Sequence, residues 1–190
     1  MKSLLHRHST ISLLLILAIA LSAWSILISH PTKLDTGNRS DQPDAYMEDV
    51  VATIMNKEGN PSLKIESPKM THFIVGDTTY IASPHVTVYR KSPQPWFINS
   101  DSAEATKGIE QIVFSNNVVI HHPSDIDDPK TTIKTASLTI FPDKQQAKTD
   151  DAITITQPDT TMHAIGMLAN LNDGTVQLLS QAKGDYVPSS

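Results

Sequence analysis

Residues 115–120 read SNNVVI, three polar residues followed by three apolar ones, and the phrase returns along the chain. Residues 83–88 read SPHVTV, 150–155 read DDAITI, and 180–186 carry a degraded copy, SQAKGDY. The starts at 83, 115, 150 and 180 lie 32, 35 and 30 residues apart. Each copy closes a unit of about 30 residues. A first strand carries a small or apolar pair (Ala103 and Ala105, Ala136 and Leu138, Ala169 and Leu171), then come a turn, a return strand and the phrase. One hairpin cannot bury its apolar face alone, whereas stacked hairpins can. The repeat therefore predicts an all-β domain, an antiparallel twisted β-jelly roll built from repeated hairpins.

Outward from the phrase, the apolar period is two. Leu63 and Ile65 flank Lys64, Val86 and Val88 flank Thr87, Leu138 and Ile140 flank Thr139, Ile153 and Ile155 flank Thr154, and Val176 and Leu178 flank Gln177. Such alternation is that of half-buried strands, and it assigns Thr87 to the solvent side. Turn signals separate the runs at 58–61, 75–77, 92–95, 142–143 and 172–174. Residues 46–55 have a helix-like apolar scatter, but Val50, Val51, Thr53 and Ile54 are β-branched, so the segment reads as strand.

Before the β region, residues 11–28 form an uncharged, proline-free apolar run. As a helix it would span about 27 Å, close to the ~30 Å hydrocarbon core of a bilayer. It is longer than the ~7–15 residues of a signal-peptide core, while the small residues in Ala20-Leu21-Ser22 and Ala23-Trp24-Ser25 leave a cleaved signal as the alternative. The expected organisation is a cytoplasmic head at 1–10, one transmembrane helix at 11–28, a flexible tether at 29–44, a β domain at 45–187 and a tail at 188–190. Residues 31–190 hold 20 acids against 13 bases, a balance of −7, which disfavours a nucleic-acid partner. The absence of cysteine removes disulfides, thiolate-bound metals and a thiol nucleophile.

One strand face offers Val86, Val88, Val118, Ile120, Leu138, Ile140, Ile153, Ile155 and Leu178 as interior. Its slim side chains leave open either a sealed core or a slot for apolar ligand. Lys64, Lys69, Arg90, Lys107 and Lys134 read as solvated surface charge, with phosphate contact as the sharper alternative. His121 and His122 are adjacent, so on a strand their rings point to opposite faces and do not chelate as a pair. Together with Asp125, Asp127 and Asp128 they read as a solvated loop, and no metal or cofactor is expected. No Gly-x-Ser-x-Gly elbow or glycine-rich phosphate loop is present, and the chain is not expected to be an enzyme. An unrecognised hydrolase would need His85 or His163 beside an acid.

Several pieces of the chain, in order and spacing, resemble the LptC family. These are Pro43 to Val50, Pro68 to Phe73, Ser83 to Tyr89 with Pro95-Trp96, Thr135 to Leu138 with Ala147 to Asp150, and Ile165 to Leu171 leading into Leu178 to Ser180. The resemblance implies a single-pass inner-membrane protein whose periplasmic jelly roll binds lipopolysaccharide acyl chains along the interior face. It also implies partners. Lipopolysaccharide would come from the permease subunits of an inner-membrane ABC transporter, met by the anchor and the N-terminal edge (Tyr46, Val50, Ile54). A soluble periplasmic bridge protein of the same fold would meet the C-terminal edge (Val176, Leu179, Tyr186). Some relatives have glycine where this chain has Gln157-Pro158, so no glycine hinge is expected there. The alternative reading is an anchored structural or glycan-binding β-repeat with a fully packed interior and no lipid transfer.

Overall fold

The computed structural model describes residues 42–90, 94–124 and 129–187. Eleven strands follow one another: β1 (Ala45–Met55), β2 (Pro61–Phe73), β3 (Thr78–Ala82), β4 (His85–Val88), β5 (Trp96–Asn99), β6 (Ser102–Thr106), β7 (Gln111–His122), β8 (Thr131–Phe141), β9 (Gln146–Gln157), β10 (Thr160–Asn170) and β11 (Val176–Tyr186). All pair antiparallel in one sheet. Long β2 carries β1 along one side, and on the other side β4 over residues 63–66 and β3 over residues 69–73. Long β7 likewise carries β5 and β6 end to end, and β8 to β11 follow as successive hairpins. The all-β antiparallel reading therefore holds; the turn signals at 75–77, 142–143 and 172–174 fall between strands, and that at 58–61 runs into the first residue of β2. Among the described residues, no helix is long and apolar enough to cross a membrane. The expected anchor at 11–28, the acidic loop at Asp125, Asp127 and Asp128, and the tail at 188–190 lie outside those residues.

The recurring phrase marks a crease. Asp49 in β1, Ser83 between β3 and β4, Asn116 and Asn117 in β7, Gly166 in β10 and Gln181 in β11 all have positive φ. Apart from Asp49, across which the β1–β2 register continues, each lies where the register slips or a strand breaks: the β7–β8 ladder shifts between Ser115 and Val118, and the β9–β10 ladder between Ile165 and Met167. An extra residue bends its strand and orphans backbone groups. Polar side chains on and beside the phrase bond across the crease. Ser67 Oγ donates to the Ala82 carbonyl at 2.6 Å, Ser102 Oγ to the Ser115 carbonyl at 3.4 Å, and Ser180 Oγ to the Ile165 carbonyl at 3.1 Å. Asn117 Nδ2 reaches Asp101 at 2.7 Å and Ser137 Oγ reaches Asp151 at 2.6 Å. Buried Ser67, Ser100, Thr135 and Thr149 all lie on this line and all have partners. Three of the four copies thus sit in mid-strand, where a long strand turns over the core.

Inside the crease lies one apolar cluster drawn from β2 through β10. Phe114, Leu63, Ile112, Leu138, Ile140 and Met167 are its largest fully buried members. Burying each such side chain is worth about 1.5–3 kcal/mol, so this cluster, rather than the short β3 to β6 ladders, fixes the roll. Thr87 corrects one expectation: it is 7% exposed, not on the solvent side. It pairs with Lys64 on β2 and Phe97 on β5, and a small side chain between two long same-face neighbours is covered by them.

Candidate functional site: interior, mouth and edges

Eight of the nine expected interior residues (Val86, Val88, Val118, Ile120, Leu138, Ile140, Ile153 and Ile155) are buried in that cluster, and Leu178 packs against it half-buried. The structure brings to the same interior Ile112 and Phe114, which the sequence reading passed over although their alternation in QIVF (111–114) signals it. It adds Met70, Ile98, Ile133 and Met167 as well. Met70 escapes a simple period because the crease changes the buried parity of β2, from Leu63, Ile65 and Ser67 to Met70.

A narrow cleft leads into the interior. Val88, Trp96 and Ile98 face Ala147, Met167 and Ala169 across a cleft of about 40 Å³. Over it stands a column: the Arg90 guanidinium lies 5.2 Å from the Trp96 ring, and Trp96 stacks on fully buried His122 at 4.8 Å. A cation over an indole is attracted by the ring's negative face. The guanidinium also fills the space above Gly174, where a Cβ would come within 2.0 Å of Nη1. Beside it, Asp173 accepts from the Thr175 hydroxyl at 2.5 Å and from its amide at 2.9 Å. These bonds, then the nearby Arg90 charge, hold its carboxyl below the usual range.

Outside the column is a polar groove of about 430 Å³, where the β1–β2, β8–β9 and β10–β11 turns meet the chain leaving β4. It shares Val88, Arg90 and Leu171 with the cleft, so Arg90 stands between a polar space and an apolar one. The other cations are engaged or dispersed: Lys64 pairs with Glu66 at 2.9 Å, Lys107 with Glu110 at 3.6 Å, and Lys69 lies over Tyr46. Lys134 is exposed.

The two ends of the sheet are open edges, since among the described residues β1 pairs with β2 alone and β11 with β10 alone. Open edges present unpaired N–H and C=O groups to a partner strand. Tyr46, Val176, Leu179 and Tyr186 are exposed there, whereas Val50 and Ile54 turn toward the core. Val51 at 61% and Met55 at 56% exposure, with Met47, are further outward apolar residues of β1. The start of β1 is clamped. His72 Nδ1 bonds Asp44 at 2.7 Å and Nε2 bonds Asp77 at 3.1 Å, which raises the imidazole pKa, Asp77 contributing first.

No catalytic group is assembled around the histidines singled out by sequence. His85 bonds Asn99 and stacks on Phe97, and His163 bonds Thr154 at 3.1 Å. Among the described residues, no carboxylate bonds either ring, and no group of three or more ligating side chains converges.

A family model described as "Lipopolysaccharide-assembly, LptC-related" matches residues 13–187. The chain belongs to the LptC family. Membership gives it a role in lipopolysaccharide transport. No functionally curated protein matches the chain. Among solved structures it is similar to LptH of Pseudomonas aeruginosa, the LptA-homologous periplasmic component of the conserved lipopolysaccharide transport device. That likeness has a TM-score of 0.52 at 8% identity, covering 66% of this chain and 95% of LptH. At that identity it is a likeness of fold, the jelly roll.

Proposed function

We propose that this LptC-family chain is a membrane-anchored relay. It accepts lipopolysaccharide from an inner-membrane ABC transporter and passes it to a soluble periplasmic bridge protein of the same fold. The family match carries the reading, because it begins at residue 13, inside the apolar run 11–28, and continues to the end of the roll at 187. The run anchors the chain with its amino terminus in the cytoplasm and the roll in the periplasm. Acyl chains lie along the interior face formed by Val86, Val88, Val118, Ile120, Leu138, Ile140, Ile153, Ile155 and Leu178. A cleft of about 40 Å³ admits little more than one water-sized group, so the packed faces must part to take a chain. The cost of parting them is offset by burial of the chain itself, at roughly 0.8 kcal/mol per CH₂.

The edges supply continuity. The β1 edge with the anchor meets the transporter's permease subunits, and the β11 edge meets the bridge protein, each by strand addition. The residues are those of a passive carrier rather than an enzyme: no nucleotide-binding loop occurs in the sequence, so transport energy comes from the partner.

The test places a photo-crosslinking amino acid at Ile120 in cells making the full chain, with Lys134, exposed on neighbouring β8, as control. Lipopolysaccharide adducts at Ile120 alone are expected. A folded, anchored protein with adducts at neither position would give precedence to the structural β-repeat with a sealed interior.

A further inference from the structure

We infer that the polar groove at the turn cluster binds pyranose rings of the glycolipid's headgroup, through neutral hydroxyl contacts rather than through phosphate. The inference rests on the relay reading and names where the carbohydrate goes. The groove's volume of about 430 Å³ falls within the ~300–1,000 Å³ of small-molecule sites. Part of its hydrogen-bonding capacity is uncommitted: Asn56 Oδ1 accepts from the Glu58 and Asn60 amides, but among the described residues the side chains of Asn60, Ser62, Gln145 and Asn172 line it without a hydrogen bond to the protein. Amides and hydroxyls that both donate and accept match sugar hydroxyls, which do the same. The Tyr89 ring, 41% exposed, adds a flat apolar surface for a pyranose face.

Charge argues against phosphate. Glu58 lines the groove, Asp143 lines the adjoining pocket and Asp173 is held ionised by Thr175. Against them stand Lys57 in the adjoining pocket and Arg90, which is stacked on Trp96. Of the residues lining the groove itself only Glu58 and Arg90 are charged, so it offers a doubly charged phosphate no net positive charge. Continuity argues for a glycolipid over a free sugar. The groove and the apolar cleft share Val88, Arg90 and Leu171, so a molecule with a polar ring in one has its apolar part directed at the other.

Trp96 reports on this junction. The chain has two tryptophans, so Trp24→Phe leaves Trp96 as the single emitter. The full chain in detergent micelles is titrated with intact lipopolysaccharide and, separately, with its fully deacylated oligosaccharide. The variants are Ser62→Ala with Asn172→Ala, and Asn172→Phe, which fills the groove. Neither position has positive φ, and near-ultraviolet circular dichroism checks that each variant is folded. Both ligands are expected to shift Trp96 emission, the double variant to weaken both about tenfold, and Asn172→Phe to abolish the oligosaccharide response. Intact lipopolysaccharide binding equally to the parent and both variants overturns the groove while leaving the relay standing. Oligosaccharide binding without lipopolysaccharide binding makes the groove a free-glycan site and overturns the glycolipid assignment. Binding of neither removes both readings.

Discussion

The two edge strands are built differently. In β1 Val50, Ala52 and Ile54 pack on the core, and His72 ties the strand's entry to Asp44 and Asp77. β11 offers the core Leu178 alone; every other residue of the strand is exposed. β1 is therefore held by side-chain burial as well as its ladder, and β11 almost wholly by backbone hydrogen bonds to β10. Both are bent by a positive-φ residue at the crease, Asp49 and Gln181, and both carry charges, Glu48 and Asp49 against Lys183 and Asp185. Bends and charges discourage uncontrolled strand addition. A strand with little burial of its own opens at low cost, so β11 is the edge expected to open before β1.

The largest expected effect is in native-state hydrogen exchange. Amides of β11 bonded to β10 should exchange roughly 100-fold faster than those of β1 bonded to β2, a gap of about 2.7 kcal/mol. Equal protection would erase the asymmetry. Next, Ile54→Ala should cost about 1–2 kcal/mol in urea unfolding, below the ~2–5 of a fully buried site because Ile54 is half-buried. Leu179→Ala, at 45% exposure, should stay within about 0.5 kcal/mol. Reversal of that order would place the packing energy on the wrong edge.

Gly166→Ala probes the seam beside β11. Gly166 has φ +77, and a Cβ there would sit 2.9 Å from Leu179 Cδ1. A left-handed alanine costs about 1–2 kcal/mol, to which the contact with Leu179, its Cβ included at 3.1 Å, adds. The loss should appear as faster exchange in β11 with β1 unchanged; a uniform loss across the sheet would mean that β11 does not open separately.

The smallest effect is that of pH on the β1 entry. Hydrogen bonds from His72 to Asp77 and Asp44 raise its pKa above the usual ~6.5. The folded state then binds the proton more tightly, so the clamp's contribution is complete below about 6.5 and is lost as pH rises through the folded value. Exchange at the Ala45 amide, corrected for its intrinsic pH dependence, should accelerate between pH 5.5 and 8.5. His72→Asn should abolish that excess, and an unchanged pH dependence in the variant would rule the clamp out.

Much of the fold was legible because β structure writes its burial into a short period. Val86 and Val88, or Ile153 and Ile155, declare an inward face from three residues alone. The role of the SNNVVI phrase was half legible: its recurrence marks a repeated unit, but its bend becomes visible only when the register slip between Ser115 and Val118 is seen. Thr87 was misread because its cover comes from Lys64 and Phe97, on strands that the alternation of its own segment does not describe. Val50 and Ile54 were assigned to the edge as a strand; which of its side chains face out depends on the direction of the core.

The sequence alone determined the strand content, the open ends of the series, part of the apolar interior and the family, since these reside in local pattern and in ordered motifs. Tertiary structure decided the rest. Burial parity changes across the crease in β2, β8 and β10. Arg90, Trp96 and His122 form a column over the cleft, and turns that are far apart in sequence build the polar groove. The reason is physical: a period reports which way a side chain points within its own strand, while a groove or a stack depends on how distant strands cross once the sheet has rolled over its core.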